Sequence, residues 1–464
     1  MTIATPYPAA EGLGSEGTIE RIWLAGLFVF ALLLRLSSFT GIIASDDLGY
    51  VRFAREISDG TYTPFLHHYA LRYGLTVPVG IVYALFGVNE WSSVVLPLLG
   101  SALSVVLIAL IGARLFGKYA GLLAALLYAS FPLQLHYSTI LVPEPLAECY
   151  VLTAVLLHVR IGTRHFLRGL MAGVLVGIAY LTKEPALFIA PPLFLDAVFN
   201  KRWKHAAGLT AGVVLVLIAE VSYYYVSTGD LAFRQHAMAA HNANMLANPL
   251  EVIDDIPYRL LKAYPRMMLV PSVHFGIHSL LAIILAGLII VPRVVRSSSA
   301  RFLALWTIIP WLYVNFGSSS LTQYIVLPIA PRYIEFAYPP LFLGAAWFIT
   351  TRVAQWPAAK RLVPMLMTLL VITGLGCGLA TRGKGYNTPQ VKALRAIAET
   401  SGPFGEQSCV HTEATELERD KWLQILTLLE GRVLVECKPN EFGVTLRAGA
   451  QSLPYVATPA PTPH

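Results

Sequence analysis

Two adjacent carboxylates, Asp46 and Asp47, follow the first long apolar run, in Ile43-Ala44-Ser45-Asp46-Asp47-Leu48-Gly49-Tyr50. A carboxylate at the edge of an apolar layer is costly unless it is solvated, paired or used. Helical neighbours point about 100° apart, so the two do not suit one job. One can face a cavity while the other caps a helix over Leu48–Ser58, or both are solvated caps. Glu144 stands between two prolines in Leu141-Val142-Pro143-Glu144-Pro145, and the prolines stiffen that corner. It is either an acid held at fixed height beside the same cavity or a plain loop acid. Glu148 lies one helical turn further on.

Cations at the same level are few: Arg52, Arg55, Arg72, Lys183 and Arg332. Each falls beside aromatic or proline residues at the end of an apolar segment, where a lipid phosphate would lie. Arg and Lys can clamp such a phosphate, or they simply anchor the chain at the interface. Lys183 can alternatively pair with Glu184, and Tyr333 directly follows Arg332. Arg35 lies inside the first apolar run, where a charge costs roughly 2.5–3.5 kcal/mol. It either faces protein or a wet cavity, with Asp46 and Asp47 the nearest acids in sequence, or snorkels to the interface. His67 and His68 with Asp46 and Glu144 are compatible with a hard divalent cation. No His-Glu-x-x-His, P-loop or Gly-x-Ser-x-Gly pattern accompanies them, so the metal stays unassigned. His236 and His241 read as loop or acceptor-side residues.

The elements that must position these groups are set by composition. The chain has 464 residues, 56% hydrophobic and 13% charged, against about 25% charged in soluble domains. With a mean hydropathy of +0.61 it reads as an all-α polytopic membrane protein. The net charge of +7 is accounted for by membrane sidedness and calls for no nucleic-acid partner. Candidate spans are Ile22–Ile43, Trp91–Leu115, Tyr119–Leu135, Pro143–Val159, Phe166–Thr182 and Pro185–Phe199. Ala206–Val226, Pro271–Val291, Phe302–Phe316, Tyr333–Thr351 and Leu362–Ala380 follow, making about eleven. Tyr73–Phe86 is apolar but short and carries Pro78 and Gly80, so it reads as re-entrant or interfacial. With it off the path, fourteen cations in five short connections, from Arg114 to Arg361, share one side. That side is cytoplasmic, and Asp46, Glu144, Lys183 and Arg332 fall on the other.

The expected organisation is a cytoplasmic arm over residues 1–20 and a transmembrane domain over 21–380. The latter carries a helical first extracytoplasmic loop, 44–90, and a second large one, 227–270. Residues 381–464 form a small extracytoplasmic α/β domain: a helix over Gln390–Thr400, then strands Ser408–His411 and Arg432–Cys437 flanking a helix Thr415–Leu429. The last dozen residues, rich in Pro, Thr and Ala, are expected to be disordered. Cys409 and Cys437 can pair if this domain lies in an oxidising compartment. Cys149 and Cys377 read as small core residues.

At these residues the chain resembles the GT-C glycosyltransferases, in the branch of the protein O-mannosyltransferases and the lipid A aminoarabinose transferase. The likeness rests on Arg35, Asp46-Asp47, Leu85-Phe86-Gly87-Val88-Asn89-Glu90, Leu115–Lys118, Glu144, Leu181-Thr182-Lys183 and Pro331-Arg332-Tyr333, over roughly residues 20 to 350. Many members carry a Lys-Pro-Pro motif where this chain has His67–Arg72, and Asp47 stands where Glu is common. The tail after Arg382 lies outside the resemblance. The resemblance implies a GT-C fold in the cytoplasmic (inner) membrane and a polyprenyl-phosphate sugar donor. It implies an acceptor hydroxyl on a lipid, glycan or protein at the outer face, among membrane lipids. The acceptor hydroxyl needs a base, for which Asp46 is best placed, with Asp47 or Glu144 orienting acceptor or metal. Arg35, Arg52, His67, His68, Arg72, Lys183, Arg332 and Tyr333 are the expected substrate-binding residues. A single displacement predicts inversion at the anomeric carbon. Burial should raise one carboxyl of the Asp pair, with Arg35 opposing. The competing reading is a transporter or lipid flippase of a cell-envelope pathway, whose acids would couple to protons or cargo.

Overall fold

Long apolar runs interrupted by proline fold as helices of unequal length, because proline removes a backbone donor and constrains the residue before it. A computed structural model describes residues 19–160, 164–246, 255–320, 323–384, 387–400, 409–413, 415–431, 434–437, 444–448 and 454–457. Residues 1–18 of the expected arm, 247–254 of the second loop and 458–464 of the expected disordered end lie outside the described residues. The helices are α1 (Arg21–Ser37), α2 (Asp46–Ser58), α3 (Tyr73–Phe86), α4 (Glu90–Phe116), α5 (Lys118–Ala129), α6 (Pro132–Tyr137) and α7 (Glu144–Val159). They continue with α8 (His165–Thr182), α9 (Ala190–Phe199), α10 (Trp203–Thr228), α11 (Phe233–Leu246), α12 (Ile256–Tyr258) and α13 (Tyr264–Leu269). The last are α14 (His278–Ile290), α15 (Ser298–Phe316), α16 (Tyr338–Thr351), α17 (Ala359–Thr381), α18 (Thr388–Thr400) and α19 (Glu416–Glu430).

Among the described residues four helices, α4, α8, α10 and α17, are long and apolar enough to cross a membrane unaided. Of the other expected spans, that of α15 lies in a helix of 19 residues and the rest are shorter as single helices. Tyr119–Leu135 breaks into α5 and α6 because Phe131, preceding Pro132, is extended at φ −67°, ψ 121°. Pro271–Val291 becomes helical only from His278, after a turn in which Gly276 takes φ +55°. Pro185–Phe199 and Tyr333–Thr351 open as 3-10 turns, Glu184–Ile189 and Pro331–Tyr333, before α9 and α16. α4 starts at a capping box in which Asn89 and Ser92 satisfy each other's backbone donors.

α8 and α10 touch through glycine. A Cβ on Gly173 would strike the Leu209 carbonyl, and one on Gly208 or Gly212 would strike the carbonyls of Phe166 or Leu170. Small residues let helix backbones approach where no hydrophobic force drives them together. α3, the short apolar piece, packs on α2, α4 and α8 with Val77, Ile81 and Leu85 left exposed on its outer side.

The tail after α17 folds as α18, α19 and a four-stranded sheet in the order β2-β1-β3-β4. β1 (Cys409–Glu413) runs parallel to β2 (Val435–Glu436) and to β3 (Val444–Ala448), while β4 (Pro454–Ala457) pairs antiparallel with β3. β4 corrects the expectation of a wholly disordered end. Tyr455 and Val456 favour strands, and Pro454 sits at the first strand position, where its missing N–H is tolerated. Cys409 and Cys437 form a disulfide. Leu394, Val391 and Trp422 of this unit share one apolar cluster with Leu48 and Val51 of α2 and Leu75 of α3.

Candidate active site

α1 and α8 end, and α7 and the turn before α16 begin, at one end of the bundle, which is where Asp46, Lys183, Glu144 and Arg332 stand. Arg332 Nη1 donates to Asp46 Oδ2 at 2.6 Å. Lys183 Nζ donates to Glu144 Oε1 at 2.6 Å and to the Arg332 carbonyl at 3.0 Å. Arg332 Nε stands 3.8 Å from the same Glu144 oxygen. The four side chains form one alternating acid–cation group. Tyr333 lies beneath it, its ring centre 5.0 Å from Lys183 Nζ. Glu144 and Lys183 are buried, whereas Arg332 and Asp46 keep side-chain exposures of 31% and 24%. The solvent-facing edge of the group is therefore Asp46–Arg332.

Asp46 has a second partner, Tyr69, whose hydroxyl donates to Oδ1 at 2.7 Å. Gly49 makes this possible, since a Cβ there would strike the Tyr69 ring. Burial pushes the Asp46 carboxyl up, but the charge of Arg332 with the bonds from Tyr69 and Arg332 outweighs it, and the net direction is down. Asp47 goes the other way. Burial raises its carboxyl against the pull of the backbone N–H groups of Ile43, Ala44 and Ser45, which it accepts at 2.6–3.2 Å. Asp47 is thus a brace of the turn before α2 rather than a group facing the cavity. Lys183 is lowered by burial and Arg332 against the opposing charge of Glu144.

The other expected residues fall elsewhere. Arg72 pairs with Glu184, and Arg234 joins the same carboxylate at 2.8 Å while also reaching Glu220 and the Leu71 carbonyl. Arg72 therefore ties the turn His68–Leu71 to α10 and α11 and contacts neither Asp46 nor Glu144. Lys183 takes Glu144 rather than its neighbour Glu184. His67 stacks on His68, which stacks on His241 of α11 at 3.7 Å between ring centres. His68 and His241 are both lowered by burial, His241 to about 4. Arg52 is exposed and pairs with Glu56, away from the site.

Arg35 takes the protein-facing alternative, away from the acids nearest in sequence. It turns from Asp46 and Asp47 into the bundle, where its Nε donates to Ser101 at 2.8 Å. Ser101 donates to Gln134, and the Gln134 amide bridges Glu148 and Glu335. Tyr128 also donates to Glu148, at 2.6 Å. Arg35 lies well up α1, one face of which is covered by α4, so its reach is set by packing rather than by sequence distance to the acids. Sequence reasoning missed Gln134, Glu335 and Tyr69. An acid in the apolar run after Pro331-Arg332-Tyr333, and a tyrosine in the His67–Arg72 stretch already singled out, were the available signals. Among the described residues no three His, Cys, Asp or Glu side chains gather as a metal site requires. Asp46 and Glu144 face Arg332 and Lys183 instead of one another, so the residues do not fit a resident cation.

A family model described as dolichyl-phosphate-mannose-protein mannosyltransferase matches residues 78–225. The fold is similar to that of ArnT from Cupriavidus metallidurans bound to undecaprenyl phosphate, with TM-score 0.60 and 13% identity, over 92% of each chain. The chain has the GT-C glycosyltransferase fold. Its GT-C likeness extends to the archaeal oligosaccharyltransferase AglB from Archaeoglobus fulgidus in complex with an inhibitory peptide and a dolichol-phosphate. There the TM-score is 0.51 and the identity 13%, and the match covers 89% of this chain but spans only 64% of AglB. No curated protein matches the chain by sequence.

Proposed function

We propose that this chain is a membrane glycosyltransferase that moves a sugar from a polyprenyl-phosphate donor to a hydroxyl of a lipid, glycan or protein acceptor. The observation that carries this reading is the convergence of Asp46, Glu144, Lys183 and Arg332, distant in sequence, on one partly open group. In the reaction the acceptor oxygen bonds to the anomeric carbon, the bond from that carbon to the phosphate oxygen breaks, and the hydroxyl proton passes to a carboxylate. The leaving phosphate is already a stable anion, so it needs cations rather than a strong acid. Arg332 and Lys183 are the cations, preorganised by their carboxylate partners, Lys183 where burial strengthens the effect of its charge. Asp46 is the base. With no donor bound it is neutralised by Arg332; a phosphate that draws Arg332 to itself releases the carboxylate and lets burial raise its proton affinity. Donor binding would thus switch the base on. One displacement by an activated hydroxyl gives inversion.

Sidedness is supported from two directions. Most of the short cationic connections join helix ends opposite Asp46, and the tail that packs near Asp46 carries a disulfide, which persists in oxidising compartments. Both favour the extracytoplasmic face of the cytoplasmic membrane. The test is transfer of labelled sugar from polyprenyl-phosphate donors by purified protein in detergent. Asp46→Asn should lower kcat by about 10²–10⁴-fold, the range for loss of a general base. Near-normal transfer by this variant would remove Asp46 from the role, and the absence of transfer by the wild type with any such donor would favour the transporter or flippase reading.

A further inference from the structure

We propose that the C-terminal unit sets the direction of Asp46, through Asn387 and Arg395 acting as positioning residues. The inference rests on Asp46 as the reacting carboxylate and concerns the turn Gly41–Ser45 that delivers it. Ala44, two residues before Asp46, takes φ +54°, a left-handed conformation disfavoured for a residue with a Cβ. Gly41 takes φ +73°, and a Cβ there would strike the Glu90 carboxylate. Such a turn persists only when its surroundings over-determine it.

The surroundings come from three places. From the bundle, Thr139 accepts the Gly41 N–H at 2.9 Å and, through its hydroxyl, the Thr40 N–H at 3.0 Å. From within the turn, Asp47 accepts three N–H groups. The rest comes from the tail. Asn387 donates its backbone N–H to the Ile43 carbonyl at 3.4 Å and its side-chain amide to the Ala44 carbonyl, the oxygen of the strained residue itself. Arg395 on α18 grips Glu90 with two bonds, 2.6 and 3.0 Å, and Glu90 in turn accepts the Ile42 N–H at 3.0 Å. Val391 and Leu394 of α18 join Leu48 and Val51 of α2 in one apolar cluster, so the grip is backed by packing. The tail therefore fixes the backbone from which the base projects. A misplacement of about 1 Å at a reacting group can cost of the order of 10²-fold.

The experiment uses the full chain in lipid nanodiscs, with hydrogen exchange as a readout independent of sugar transfer. In Arg395→Ala and Asn387→Ala the amides of residues 42–45 should exchange about tenfold faster or more, with α8 and α10 unchanged. With donor and acceptor, kcat should fall about tenfold while donor KM stays within about twofold, because the loss is one of orientation. Arg395→Lys, which keeps one bond, should recover part of kcat. In an Ala44→Gly background, where the turn no longer opposes its own backbone preference, Asn387→Ala should have a smaller effect. Unchanged exchange at residues 42–45 in both alanine variants overturns the inference, as does unchanged kcat. Should Arg395→Ala fail to fold, Asn387→Ala decides alone. Should the wild type transfer no sugar, the proposed function fails while the exchange result still decides the clamp.

Discussion

Asp46 is held between Tyr69 and Arg332, and that pairing predicts how the free protein should respond to pH. A carboxylate in the proposed role of base must be ionised, and burial, outweighed by Arg332 and Tyr69, leaves the Asp46 carboxyl below the ordinary aspartate range of about 3.9. The acid limb of kcat/KM, which reports the free enzyme, should therefore lie low. Arg332→Ala removes the lowering charge and leaves burial in command, so the limb should move to higher pH and activity should be lost sooner on acidification. A limb that stays put in this variant would separate Arg332 from the base. Glu144 and Lys183 make a different prediction because both are buried. Removing one partner strands a buried charge, at about 3–5 kcal/mol, whereas removing both leaves no charge to strand. Thermal unfolding in detergent should show Lys183→Met and Glu144→Gln each markedly destabilised and the double variant closer to the wild type. Equal stability of all four proteins would rule out a buried charged pair.

The elements carry these residues by close approach rather than by bulk. α8 ends at Thr182 and hands Lys183 to the site, so its position depends on its contact with α10. That contact is backbone on backbone at Gly173, Gly208 and Gly212. Gly173→Leu should part the helices and destabilise the fold by about 1–3 kcal/mol or more, the scale of overpacking. Gly376→Leu on α17, where a Cβ meets nothing within 4 Å, is the control and should be silent in the same unfolding measurement. The α2–α3 pair obeys the same rule, since a Cβ on Gly80 would approach the Ala54 carbonyl to 2.8 Å. α3 is thereby pinned to the helix that opens with Asp46, while its Val77–Ile81–Leu85 side faces outward.

At the scale of the molecule, charge is sorted by end. The acid–cation group and the disulfide-bearing tail occupy one end of the helices, and most of the short cationic connections occupy the other. A polar cluster anchors that second end: His158 Nε2 and Asp196 lie 2.8 Å apart, His158 Nδ1 and His205 3.0 Å apart, and Arg202 closes the group onto Asp196. The sorting predicts labelling. A membrane-impermeant maleimide on intact cells should modify Asp59→Cys, at the far end of the helix that opens with Asp46, and leave Lys360→Cys, in the first turn of α17, untouched until the membrane is opened. The reverse pattern would invert the orientation and place the proposed chemistry in the cytoplasm.

Composition, hydropathy and the order of short motifs were enough to read a helical membrane protein with Asp46, Glu144, Lys183 and Arg332 on one side. Those properties are local or additive, so they survive in the linear chain. Helix ends were legible where a cap or glycine marks them, as at Asn89, and blurred where proline divides one apolar run into two, as at Phe131. Which acid meets which cation was not legible. Lys183 takes Glu144, 39 residues away, over adjacent Glu184, and Arg332 crosses 286 residues to Asp46. Arg35 turns from the acids nearest in sequence toward a network built on Ser101 and Gln134. Pairing energy depends on distance and burial, which are fixed only when glycine contacts and tail packing bring the helices to their final separations, and so the tertiary structure alone decides it.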